Sequence, residues 1–153
     1  MTFFPTELLG SLRTQIYKYA KGAPTQKKHT FHVASSVNDF KSFIALHHDV
    51  TQTGVYRCMV TLEKHNLAWF QILVDEDWKK AFYPKTKDAD SGKGFLRGPD
   101  DKGHGLNWQI TGKRGETYEI MLDTTQEDKH KIVTWKLAPR VKPPKDLPLR
   151  GHY

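Results

Sequence analysis

The sequence predicts a mainly β protein: an antiparallel β-sandwich with an N-terminal amphipathic helix and an extended C-terminal tail. Three observations carry that expectation. Short apolar segments recur between turn residues through the middle of the chain. One of them, Trp69 to Val74, is apolar enough to lie buried in the centre of a sheet. The two ends follow other patterns, helical spacing at the front and a proline-rich basic run at the back.

At 153 residues the chain suits one domain with a real core, and its 37% hydrophobic content suits a globular one. No run approaches the ~20 apolar residues that span a bilayer. Cys58 is the only cysteine, so no internal disulfide is expected. The opening Met1-Thr2-Phe3-Phe4-Pro5 lacks the basic-then-apolar order of a secretory signal.

Three segments follow: a helical arm over 1–28, the β domain over 29–138 and a tail over 139–153. A helix over 6–20 starts at Pro5 and Thr6. Leu8, Leu9, Leu12, Ile16 and Tyr19 form its apolar stripe, and Gly22 and Pro24 end it. Residues 30–34 alternate as a short strand, and 35–40 are rich in turn formers. In 55–62, Tyr56, Cys58, Val60 and Leu62 make the better core face.

The central strand over 68–75 runs into Asp75-Glu76-Asp77. Those acids cannot enter a core, so the chain turns there and leaves Trp78 on a loop or strand edge. Residues 85–93 and 98–105 read as polar, glycine-punctuated loops. A strand over 107–110, a hairpin turn over 112–115 and a returning strand over 117–122 come next, and 132–137 is the last strand. About seven short strands with frequent turn signals favour the immunoglobulin-like type of sandwich.

Charge is uneven. Residues 1–30 carry a net +4 and residues 139–153 a net +3, so the whole excess of +7 lies at the ends. Such ends favour an acidic protein surface, RNA or anionic lipid. The middle is neutral, which argues against a dedicated nucleic-acid reader.

No metal site is expected. His29 and His32 would face opposite sides of a strand, and Asp88-Ala89-Asp90-Ser91-Gly92 lacks the glycine position and the glutamate of a calcium loop. No catalytic residue and no cofactor is predicted. Asp100 and Asp101 lie near His104, but no nucleophile motif accompanies them, and turns explain the nearby glycines.

Two stretches resemble glycogen- and starch-binding modules, including those like the β-subunit of AMP-activated kinase. Phe31 to Phe40 resembles their opening strand and Gly-Ser-Phe-Asn-x-Trp turn; Phe70 to Trp78 resembles their central strand with its terminal Asp-Gly-x-Trp. The order is closer still to an uncharacterised repeat domain of dinoflagellate proteins. There an Asp-x-Asp-Trp and a Tyr-Pro precede Gly-Pro-Asp-x-x-Gly-His-Gly-x-Asn-Trp, then Gly-Glu-x-Tyr and Val-x-Trp. Here these fall at Asp75–Trp78, Tyr83-Pro84, Gly98–Trp108, Gly115–Tyr118 and Val133–Trp135. The likeness covers about residues 30–137. It implies a β-sandwich with a sugar-stacking platform at Phe40 and Trp78. Phe40 stands where the family has its first tryptophan, Gln71 where it has a sugar-donating lysine and Glu76 where it has the turn glycine.

The function expected from the whole chain is a non-catalytic accessory subunit, anchored by its arms to a larger and plausibly organellar assembly. Leu8, Leu12, Ile16, Leu147 and Leu149 would be apolar anchors, with Arg140, Lys142, Lys145 and Arg150 at the rim. A mitochondrion or plastid is favoured over the cytoplasm. The alternatives are a glucan-binding module built on Phe40, Gln71 and Trp78, and a ribosome-type RNA-contacting protein.

Overall fold

The computed structural model describes residues 28–139. The expected helix over 6–20 and the tail beyond Pro139 lie outside the described residues. So do all nine anchoring residues: Leu8, Leu12, Ile16, Arg140, Lys142, Lys145, Leu147, Leu149 and Arg150.

Among the described residues nine strands form one curled antiparallel sheet: β1 (Phe31–Ser35), β2 (Phe43–His48), β3 (Val55–Thr61), β4 (Leu67–Val74), β5 (Asp77–Pro84), β6 (Leu96–Asp100), β7 (Trp108–Thr111), β8 (Thr117–Asp123) and β9 (Val133–Leu137). Their order is β6-β5-β4-β1-β2-β3-β8-β9. β7 pairs with the first half of β4, on the edge whose second half holds β5. No helix among the described residues is long and apolar enough to cross a membrane.

β2 is the corner that makes the curl. Its first residues pair with β1 and its last two, His47 and His48, with β3. The sheet closes over a core drawn from both ends of the strand order. Phe82 and Leu96 of β5 and β6 lie in one cluster with Ile120, Leu122 and Val133 of β8 and β9. The rings of Phe70 and Trp135 meet edge to face at 5.4 Å across that interior. Burying side chains such as Phe70, Ile72 and Trp108 removes apolar surface worth ~25 cal/mol per Å² from water.

From Phe70 onward β4 is buried on both faces, as its apolar run predicts. Ala68, Phe70, Ile72 and Val74 point into the main core. Trp69, Gln71 and Leu73 point the other way by strand alternation. On that outer face Leu73 joins Ala34 and Ala81 in a second small cluster, covered by Phe40 and Phe43. The β3 alternation also holds, with Cys58, Val60 and Leu62 buried.

Several sequence expectations need correcting. Residues 112–115 are not a hairpin turn between paired strands: β7 pairs with β4, while β8 pairs with β3 and β9. The chain crosses there from one side of the core to the other. β2 and β5 were not anticipated, because Phe43–His48 and Asp77–Pro84 mix histidine, lysine and alanine with few β-branched residues. Gly98 to Asp100 belong to β6 rather than to a loop. The Gly98–Pro99 bond is cis.

Each outermost strand has one position that offers no free backbone N–H. Pro99 on β6 has no N–H to offer. On β9 the Ser91 hydroxyl accepts from Trp135 N at 2.8 Å and donates to Trp135 O at 3.1 Å.

Candidate functional site

The acidic turn after β4 is the first feature that places the site. Asp75 and Glu76 both adopt left-handed backbone, at φ 56° and 57°. That is the two-residue hairpin geometry usually filled by Asn-Gly. Here Asp75 holds it. Its backbone N–H donates to Thr30 O, and its carboxylate accepts from Thr30 N at 2.9 Å and contacts His29 Nδ1 at 2.7 Å. Burial raises the Asp75 pKa, but the Thr30 amide, His29 and Lys80 outweigh it and hold the carboxyl below its ordinary value. The Glu76 carboxylate lies 3.7 Å from His32 Nε2.

The tight turn sends the chain straight back along β4, so Trp78 lies near the start of β5 and not on a loop. Its ring stands on the outer face, 45% exposed. Phe43 meets it edge to face at 6.0 Å and 77°, and Phe40 is tilted against it at 6.3 Å and 53°.

Phe40 gets there by an unusual route. Asp39 and Phe40 follow the 3-10 turn at Ser36–Asn38, and both are left-handed, at φ 57° and 58°. A bulky residue in that region costs on the order of 1–3 kcal/mol, and such strain collects at binding and catalytic sites. The Phe40 N–H donates to Ser35 O at 2.8 Å, which fixes the bend. The bend lays the Phe40 ring over Ala34, Leu73 and Ala81.

Opposite the aromatics stands the loop after β6. Together they line a half-open cleft of about 540 Å³, formed by Phe40, Gln71, Trp78, Lys79 and Ala81 with Asp100, Asp101, Gly103, His104, Gly105 and Asn107. That size is ordinary for a small-molecule site. The three positions singled out from the sequence, Phe40, Gln71 and Trp78, are thus brought together in one place. Glu76 is not among the lining residues.

Gln71 does not offer the hydrogen-bond donor that the resemblance to glycogen- and starch-binding modules implies at its position. It is 4% exposed, and its Nε2 donates to Gly103 O at 2.6 Å and to Leu106 O at 2.8 Å. Both amide hydrogens are spent on the loop. A second clamp lies beside it. A Cβ on Gly103 would fall onto the Tyr83 ring, so only glycine lets the loop lie that close. The Tyr83 hydroxyl donates to Asp100 Oδ1 at 2.8 Å, and the Lys102 N–H donates to the same oxygen at 2.8 Å. Burial and the Asp100 hydrogen bond push the Tyr83 phenol up to about 12, so it remains a donor.

Asp101, His104, Asn107 and Lys79 are the polar lining that sequence reasoning missed as a group. The signal was the glycine punctuation of Gly98–Gly105, which reads as turn chemistry on its own. Trp108, the conspicuous residue of that stretch, is 1% exposed and stacks on Phe70 at 5.4 Å and 27°. It is core, not site. The paired histidines gather no metal set: among the described residues no group of three or more His, Cys, Asp or Glu side chains could hold an ion.

Comparison with protein-family models, with curated proteins and with solved structures gives no match. The geometry of the cleft therefore stands by itself.

Proposed function

We propose that the described domain is a non-catalytic binding module whose outer-face cleft takes a neutral sugar chain, a glucan segment being the first candidate. The observation that supports this is the convergence of Phe40 and Trp78, the platform positions implied by the resemblance to glycogen- and starch-binding modules, in one aromatic-walled cleft. A half-exposed indole suits the apolar face of a pyranose ring. Asp101, His104 and Asn107 across the cleft offer acceptors and donors to hydroxyl groups. Two carboxylates, Asp100 and Asp101, against the single lysine Lys79 disfavour phosphate or uronate ligands there. On this reading the curled sheet is of the immunoglobulin-like sandwich type, and Asp100 serves to hold its loop and not to transfer protons.

Titration of the full chain with maltoheptaose, followed by Trp fluorescence, tests the proposal. Saturable quenching that disappears in Trp78→Ala is expected. A flat titration, or one unchanged by Trp78→Ala, overturns it.

A second reading is favoured by a separate observation, the placement of the net +7 wholly at the chain ends. In it the domain is an accessory subunit of a larger organellar assembly, held by Leu8, Leu12, Ile16, Leu147 and Leu149 with basic residues at the rim. Deleting residues 139–153 should leave the domain folded and abolish co-purification with its partners; retained co-purification rejects it. A salt-reversible shift with RNA would favour instead a phosphate-contacting role for the basic ends.

A further inference from the structure

We propose that Gln71 is a positioning residue, which with Tyr83 holds residues 100–106 as a preformed wall of the cleft before any ligand arrives. The inference rests on the cleft being a binding site, and it gives Gln71 a role unlike that of a ligand donor.

The argument is one of hydrogen-bond capacity. A glutamine amide nitrogen has two hydrogens, and in Gln71 both already point at backbone carbonyls of the loop, Gly103 O and Leu106 O. The side chain rises from the middle of β4, within the run Phe70–Val74 whose every residue is buried, so its base is fixed. The loop reinforces itself, with Leu106 N–H donating to Gly103 O at 2.8 Å. At its start Tyr83 supports Gly103 by contact and binds Asp100 through its hydroxyl. The loop is pinned at both ends, while Asp101, His104 and Gly105 between them line the cleft. A wall fixed in advance spares the ligand the entropy of ordering it.

Two backbone amides report on the clamps separately: Leu106 N–H on the Gln71 side and Lys102 N–H on the Tyr83–Asp100 side. Their exchange with deuterated solvent is measured by NMR on the full chain without sugar. Gln71→Met keeps length and volume and removes both donors. It should speed Leu106 exchange at least ~10-fold relative to core amides of β4, and weaken maltoheptaose binding by a similar factor. Tyr83→Phe should speed Lys102 exchange with a smaller loss of binding.

A residue that only donates to sugar would leave exchange in the unliganded protein unchanged. Unaltered Leu106 exchange in Gln71→Met therefore overturns the proposal. If Gln71→Met does not fold, Tyr83→Phe decides: unaltered Lys102 exchange there rejects a clamped wall. Failure of the wild-type chain to bind maltoheptaose removes the glucan reading alone, since the exchange measurements need no ligand.

Discussion

The two faces of β4 are built from alternate residues of one strand and obey different rules. The inner face, Ala68, Phe70, Ile72 and Val74, is purely apolar and packs into the main core. The outer face, Trp69, Gln71 and Leu73, is mixed: a half-exposed ring, a buried amide and a leucine beneath an aromatic cover. On the inner face a side chain is defined by its volume. On the outer face it is defined by its hydrogen-bonding atoms or by the ring it presents. The difference teaches that a site can be raised on a strand without loosening the core beneath it, because a two-residue period separates the tasks.

The comparison is broken most forcefully at Phe70. Phe70→Ala should cost ~3–5 kcal/mol of stability, seen as a shift in the urea midpoint, since the ring is fully buried between Trp108 and Trp135. A loss under ~1 kcal/mol would mean that the inner face is not the one that holds the fold. Trp78→Ala tests the opposite face. It should reduce maltoheptaose affinity ~10-fold or more while costing less stability than Phe70→Ala, ~1–3 kcal/mol, because the ring is already 45% exposed and gives up mainly its contacts with Phe40 and Phe43. Equal effects on binding and stability would erase the distinction between the faces.

A gentler test uses acid. The Asp75 carboxyl, at the end of the strand, is held below its ordinary value, and the Asp49 carboxyl, bound by Thr51 and Arg57, is lowered to about 2. A depressed folded pKa adds stability above the unfolded value near 4, and that stability is lost as pH falls through the folded value. Stability should therefore decline below about pH 4. Asp75→Asn should flatten part of that decline and loosen the β4–β5 turn. The smallest expected effect is at Trp69, whose Nε1 donates to Gln109 Oε1 at 2.7 Å at the surface. Trp69→Phe should change stability by under ~1 kcal/mol and leave the cleft unaffected.

Legibility in the sequence followed the same division. The burial of β4 could be read because a run of apolar residues interrupted only by Gln71 suits a central strand, and the core face of β3 because its apolar residues alternate. The acids after Val74 announced a turn. β5 was lost because Lys79 and Lys80 hide a strand whose second half, Ala81 to Pro84, is buried. The β7–β8 connection was misread because a short glycine-bounded loop looks the same whether its strands pair or part. The platform positions Phe40 and Trp78 came from resemblance, and the structure places them within one cleft. The role of Gln71 was not legible, since its partners are backbone carbonyls more than thirty residues away that no side-chain pattern marks. Nor was the polar wall, because glycine and aspartate in a loop serve turns as readily as ligands.

The hydroxyl of Ser91 has a wider consequence. A ribbon of strands with bare margins invites a stranger to zip onto it, the first step toward fibrils. In this protein one margin carries a proline, and the other has its central backbone pair occupied by a single serine oxygen. A Ser91→Gly protein should fold as before and yet gain a tendency to associate with concentration, visible by light scattering. Resistance to association along that margin would then rest on one oxygen atom, outside the residues that line the cleft.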